Sequence, residues 1–148
     1  MSATAQVKVT RHFNASPERV FDAWLDPQTV GKWLFATPKG QMVRVEVDAR
    51  AGGKWIIVDR RNGEDVEHSG EYVEIDRPRR LVFTFRVPKY SSLTTEVTVE
   101  IEPAASGCDL TLTQTNVPAE YLGSNEKGWT GILVGLAEYL AQYVAEHI

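Results

Sequence analysis

The sequence predicts an α+β domain in which a curved antiparallel sheet wraps around one long C-terminal helix, in the order β-α-α-β6-α. Two patterns carry that expectation. Apolar and polar residues alternate with period two in consecutive short runs over 42–113, the mark of strands with one covered and one wet face. From Asn125 onward the apolar spacing becomes that of a helix and stays so to the C-terminus. No repeat, low-complexity tract or Pro/Gly/Ser-rich linker interrupts the chain, so residues 1–148 read as one domain.

The elements follow in order. Val7, Val9, Arg11 and Phe13 share one face of a first strand, and Lys8, Thr10 and His12 the other. Ser16-Pro17-Glu18 opens a helix, with Ser16 as N-cap, Pro17 at the first helical position and Glu18 in the positive first turn. Asp26-Pro27 repeats that signal and predicts a second short helix carrying Val30, Trp33 and Leu34. Val43, Val45 and Val47 alternate with Arg44, Glu46 and Asp48. Ala51-Gly52-Gly53 is a turn, and Trp55 to Val58 forms the next strand. Asn62-Gly63 predicts a tight primed hairpin turn. Further strands are expected over Glu67 to Ile75, Arg80 to Val87, Val97 to Ile101 and Cys108 to Thr113.

On a helix of about 100° per residue, Trp129, Ile132, Leu133, Leu136, Leu140, Tyr143 and Val144 fall within an arc of roughly 120°. Glu138 and Gln142 lie opposite. At about 1.5 Å per residue this helix is roughly 35 Å long, enough to run along a whole strand. A sheet of this size curls, and one straight helix cannot fill its hollow evenly. A gap between them is expected near the two short helices.

Composition narrows the function. Lys plus Arg number 16 and Asp plus Glu 20, giving a net charge of −4. That excludes the basic footprint a phosphate-backbone binder needs, so no nucleic-acid partner is expected. No apolar run is long enough to cross a bilayer, and the first residues lack the basic and apolar regions of a signal peptide, so no membrane partner is expected. The single cysteine, Cys108, shares parity with Leu110 and Leu112 and reads as a buried core thiol of a cytoplasmic protein. The histidines His12, His68 and His147 have no metal-ligand spacing, so neither a metal nor a cofactor is expected.

The ordered motifs are familiar. Arg11-His12-Phe13-Asn14-Ala15-Ser16-Pro17-Glu18-Arg19-Val20-Phe21-Asp22-Ala23-Trp24 is followed by Asp26-Pro27 and Lys32-Trp33, then by Asp48-Ala49-Arg50-Ala51-Gly52-Gly53. Gly70-Glu71-Tyr72, Arg80-Leu81-Val82-Phe83-Thr84 and Lys127-Gly128-Trp129 complete the series. Together they cover nearly the whole chain, which resembles the activator of Hsp90 ATPase homologue family of the START/polyketide cyclase (SRPBCC) superfamily. The resemblance implies the helix-grip (START/Bet v 1-like) fold and an apolar ligand cavity. The eukaryotic co-chaperone of that name carries an additional N-terminal domain with essential Hsp90 contacts. This chain begins almost at its first strand, so a chaperone partner is the weakest expectation.

The residues expected around the gap are Trp33, Phe35, Val45, Val47, Trp55, Tyr72, Phe83, Phe85, Trp129, Leu133 and Leu136. Trp24 and Phe21 are expected simply to fill the core. Gly128, Gly131 and Gly135 lie on one flank of the last helix, where they either pack closely or leave room for a ligand. Asp48, Asp59, Glu67, Glu71, Glu74, Glu96, Glu100 and Glu102 are assigned to the solvated face, with Asp48 paired locally to Arg50. No nucleophile or carboxylate pair can be placed, so no catalytic residue is named. The expectation is a binding protein for a small hydrophobic or aromatic molecule. A cyclase- or hydrolase-like enzyme using the same cavity is the alternative, and a co-chaperone or stress-response accessory protein the second. The sequence leaves a homodimer open.

Overall fold

In the computed structural model, residues 4–35 and 40–147 are described, with side chains over 5–35 and 40–142. The elements are β1 (Thr4–Phe13), α1 (Pro17–Ala23), β2 (Gln41–Val47), β3 (Lys54–Arg61), β4 (Glu64–Asp76), β5 (Arg80–Phe85), β6 (Thr95–Pro103), β7 (Cys108–Pro118) and α2 (Leu122–His147), with 3-10 turns at Val30–Lys32 and Ala119–Tyr121. The seven strands form one antiparallel sheet in the order β1-β7-β6-β5-β4-β3-β2. Consecutive strands from β2 to β7 are neighbours, and β1 closes the far edge against β7. The segment holding α1 therefore crosses from one edge of the sheet to the other. Among the described residues no helix is long and apolar enough to cross a membrane.

Local chemistry explains most boundaries. The Ser16 hydroxyl accepts from the Arg19 amide, and Pro17 occupies the first turn of α1. Asn62 and Gly63 both have positive φ, 52° and 79°, as a primed turn requires, and they join β3 to β4. The second short helix is shorter than the sequence suggests. The Asp26 carboxylate accepts from the Gln28 amide and the Thr29 hydroxyl in the preceding turn, but only a 3-10 turn over Val30–Lys32 forms, and its N-cap Thr29 makes no side-chain capping bond. A side chain at Gly31 would meet Val45 at 2.8 Å, so this turn lies tight against β2.

The core lies between the inner face of the sheet and α2. One cross-strand row runs Val9, Leu112, Val99, Leu81, Ile75. The next runs Val7, Gln114, Val97, Phe83, Tyr72. From α2, Trp129, Leu133, Leu136 and Leu140 are buried, while Glu138 and Gln142 face out as the helical period predicts. The side chains of Tyr143, Val144 and His147 lie outside the described residues. Cys108 is buried, and burial pushes its thiol up in pKa.

Candidate functional site

Beyond the Gln114–Val97–Phe83 row, the inner face continues with Phe85 opposite Thr95. Here α2 no longer fills the hollow. An open cleft of about 590 Å3 lies between this end of the sheet, the first turns of α2 and the Phe35 ring. Its apolar walls include Phe35, Phe85, Leu93, Trp129 and Ile132, and Tyr90 and Tyr121 are exposed beside it. Phe35 sits at φ 59°, a conformation L-residues adopt rarely. Its ring stacks on His68 at 4.2 Å and on Phe85 at 5.1 Å between centroids.

The polar groups of the floor satisfy one another. Trp129 Nε1 donates to Gln114 Oε1 at 2.8 Å, Gln114 Nε2 donates to Thr95 Oγ1 at 2.9 Å, and the Thr95 hydroxyl donates to the Phe85 carbonyl at 3.1 Å. Gln114 is thereby buried in a hydrophobic row with both its side-chain oxygen and its nitrogen hydrogen-bonded, and the Trp129 ring is held in one orientation.

At the β3–β4 side of the cleft lies a second polar group, which the sequence reading misplaced. Asp59 was expected on the solvated face; it is 1% exposed. Trp55, Ile57, Asp59 and Arg61 share one strand face at intervals of two, so the parity that buries Trp55 also buries Asp59. Arg61 Nε donates to Asp59 Oδ2 at 2.6 Å, and Arg61 Nη2 donates to the Phe35 carbonyl at 3.1 Å. Among the described residues Asp59 Oδ1 has no hydrogen-bond partner, with His68 Nδ1 3.9 Å away. His68 Nδ1 lies 3.3 Å from the Ile57 carbonyl. Burial, and then the Arg61 charge, pull His68 down to about 4, so it is neutral at pH 7. Arg61 and His68 reach the cleft; Asp59 stands behind them.

The residues named from sequence divide into groups. Phe35, Phe85 and Trp129 come together on the cleft. Val47, Trp55, Tyr72 and Phe83 surround instead a tight interior space of about 10 Å3, too small for a ligand. Burial pushes the Tyr72 hydroxyl up, and Asp48 adds to that. Trp33 packs edge-on against Trp24 at 4.7 Å and donates to the Ala23 carbonyl, away from the cleft. Leu133 and Leu136 are wholly buried, and Val45 packs half-buried against the core. Of the glycines, Gly128 lines the cleft. A side chain at Gly128 or Gly131 would meet nothing within 4 Å, and one at Gly135 would only approach Trp33. Close packing therefore does not explain Gly128 or Gly131. Asp48 pairs with Arg50 as expected, at 2.9 Å. Among the described residues no group of His, Cys, Asp or Glu could hold a metal.

A larger hollow, about 790 Å3, lies where Arg44, Glu46, Lys54, Glu67 and Glu71 meet. Cations and carboxylates alternate there, as on a solvated sheet surface, and its only ring is Trp55. The smaller cleft has the converging rings and enclosed polar groups of a ligand site.

Against known proteins, residues 14–141 match the model of the family described as activator of Hsp90 ATPase homolog 1-like protein. The chain belongs to this family. Solved structures agree with that fold. An AHSA1-like protein from Aeromonas hydrophila is 21% identical, with TM-score 0.81, covering 97% of each chain. A protein of unknown function from Staphylococcus aureus is 18% identical with TM-score 0.87, covering 97% of this chain and 98% of that one. A protein from Chromobacterium violaceum is 28% identical with TM-score 0.78, covering 90% and 95%. No curated protein matches the chain. This AHSA1-like chain therefore has the helix-grip fold expected of it, a curved seven-stranded sheet around a long C-terminal helix.

Proposed function

We propose that the chain binds a small apolar or aromatic molecule in the cleft between the sheet and α2. One observation carries the reading: an opening of about 590 Å3 walled by Phe35, Phe85 and Trp129. That volume lies within the range of roughly 300–1,000 Å3 typical of ligand pockets. The floor supports it too, because its polar groups are bonded to each other and make no demand on a ligand. Membership of a superfamily of ligand-holding folds points the same way. The lone buried cysteine suits a cytoplasmic setting.

A thermal-shift screen of aromatic and aliphatic compounds tests this. Hits are expected to raise the melting temperature of the wild type. They are expected to have no effect on Gly128→Leu, which places a side chain in the cleft at a helical site that has room for it. Hits that act equally on both proteins contradict the site.

A second reading, a cyclase- or hydrolase-like enzyme, draws on the neutral His68 ring beside the cleft, a form able to accept a proton. It requires turnover of an aryl ester or similar substrate that His68→Asn abolishes. Binding without turnover argues for the container.

A further inference from the structure

Among the described residues two guanidinium groups border the cleft, Arg61 and Arg86; Arg86 stands at its exposed rim, whereas Arg61 is partly buried and held in place, a cation that an apolar container does not need. Arg61 lies at the end of β3 on the buried face, 32% exposed, and reaches the cleft wall. A guanidinium has five N–H donors in a planar fork. Two are engaged here, Nε by Asp59 and one on Nη2 by the Phe35 carbonyl. No other hydrogen bond or ion pair engages it among the described residues, so the outer end of the fork is left to the cleft.

Opposite charge is missing from the walls. Asp and Glu outnumber Lys and Arg, 20 to 16, yet among the described residues no carboxylate side chain lines this cleft. Asp59 is set behind the wall at 1% exposure, where it fixes the guanidinium through Nε and cannot itself meet a ligand. On the floor Trp129, Gln114 and Thr95 are bonded to one another in series, and none of them carries a charge that competes with Arg61 for an anion. A ligand in this space meets three apolar rings, the neutral His68 ring, the exposed Arg86 at the rim and, partly buried and anchored by Asp59, the Arg61 guanidinium with unused donors. The outer nitrogens of such a fork match the two oxygens of a carboxylate, and that pairing is about twice as strong as a neutral hydrogen bond.

We propose that the ligand is an aromatic carboxylate, its ring among Phe35, Phe85 and Trp129 and its carboxylate on the outer end of Arg61. Asp59 acts as a positioning residue that aims the fork. The assignment rests on the small-molecule reading above and adds the ligand's charge.

Isothermal titration calorimetry of the full chain with naphthalene-2-carboxylate and its neutral counterpart, naphthalene-2-carboxamide, tests it. The wild type should bind the carboxylate at least about tenfold more tightly than the amide. The double variant Asp59→Asn/Arg61→Gln removes both charges together and leaves no buried ion alone. It should bind the two compounds equally. Equal binding by the wild type overturns the carboxylate assignment, and a preference that survives in the double variant overturns its placement on Arg61 and moves it to Arg86; both leave the small-molecule reading standing. Failure of the wild type to bind either compound overturns both. Should the double variant not fold, as judged by its melting curve, Arg61→Lys replaces it, because the charge remains and the planar fork is lost. The wild-type preference is then expected to fall severalfold, and an undiminished preference contradicts the assignment.

Discussion

Burying Asp59 costs free energy that only its neighbours offset. The Arg61 bond at 2.6 Å supplies most of the compensation, and one carboxylate oxygen still has no donor. Removing Arg61 alone should therefore be severe. Arg61→Gln is expected to cost about 3–5 kcal/mol in chemical denaturation, whereas Asp59→Asn/Arg61→Gln should cost clearly less, because no ion is stranded. Equal losses would mean that the pair is not coupled. His68 gives a separate signature. Its pKa is about 4 in the fold against 6.5 unfolded, so below pH 6.5 the unfolded chain binds a proton that the folded chain refuses. Its contribution to stability is complete above pH 6.5 and is lost between 6.5 and about 4, by roughly 3 kcal/mol at most. His68→Gln should flatten the decline in stability between pH 7 and pH 4.5; an unchanged decline would assign it to other groups. These residues were partly legible. Asp59 shares the parity of Trp55 and Ile57, which was enough to turn it inward. The general preference of carboxylates for water obscured that signal. The link to Phe35 and His68 depends on chain paths that strand parity does not specify.

At the scale of elements, α2 shows how well periodicity carries. The buried residues Trp129, Leu133, Leu136 and Leu140 all belong to the stripe read from spacing alone; Ile132 of that stripe is half-buried, and Tyr143 and Val144 lie outside the described side chains. Leu133 is fully buried, and Leu133→Ala should cost about 2–5 kcal/mol. Gly131 is exposed with open space around it, so Gly131→Ala should stabilise the helix by about 1 kcal/mol and raise the melting temperature by about 2–4 °C. A fall instead would show a contact that the open surroundings do not suggest. Boundaries were less legible. Helix α2 begins at Leu122, ahead of the expected Asn125, because the 3-10 turn Ala119–Tyr121 leads directly into it. Strand β4 begins at Glu64 and β7 runs on to Pro118, both extended by pairing with neighbours rather than by their own pattern. The second short helix shrinks to one turn, which ends where Trp33 leaves helical geometry at φ −133° and which packs against β2 through Gly31.

For the molecule as a whole, the order of elements already implied a curled sheet, a covering helix and a space between them. The depth at which the space opens was not readable. It depends on register: Gln114 lies opposite Val97, and Phe85 opposite Thr95, beyond the part of the sheet that α2 fills. Hence Trp55, Tyr72 and Phe83, expected around the gap, became core, while Gln114, His68 and Arg61 reached the cleft unannounced. The tryptophans now report on this division. Trp129 lines the cleft, whereas Trp24 and Trp33 pack together far inside. Indole N–H resonances in a two-dimensional NMR titration with an aromatic ligand therefore test the central claim directly. Binding in the cleft should shift the Trp129 indole signal in a saturable manner and leave those of Trp24 and Trp33 in place. A fixed Trp129 signal, or a shift confined to Trp24 and Trp33, would contradict it.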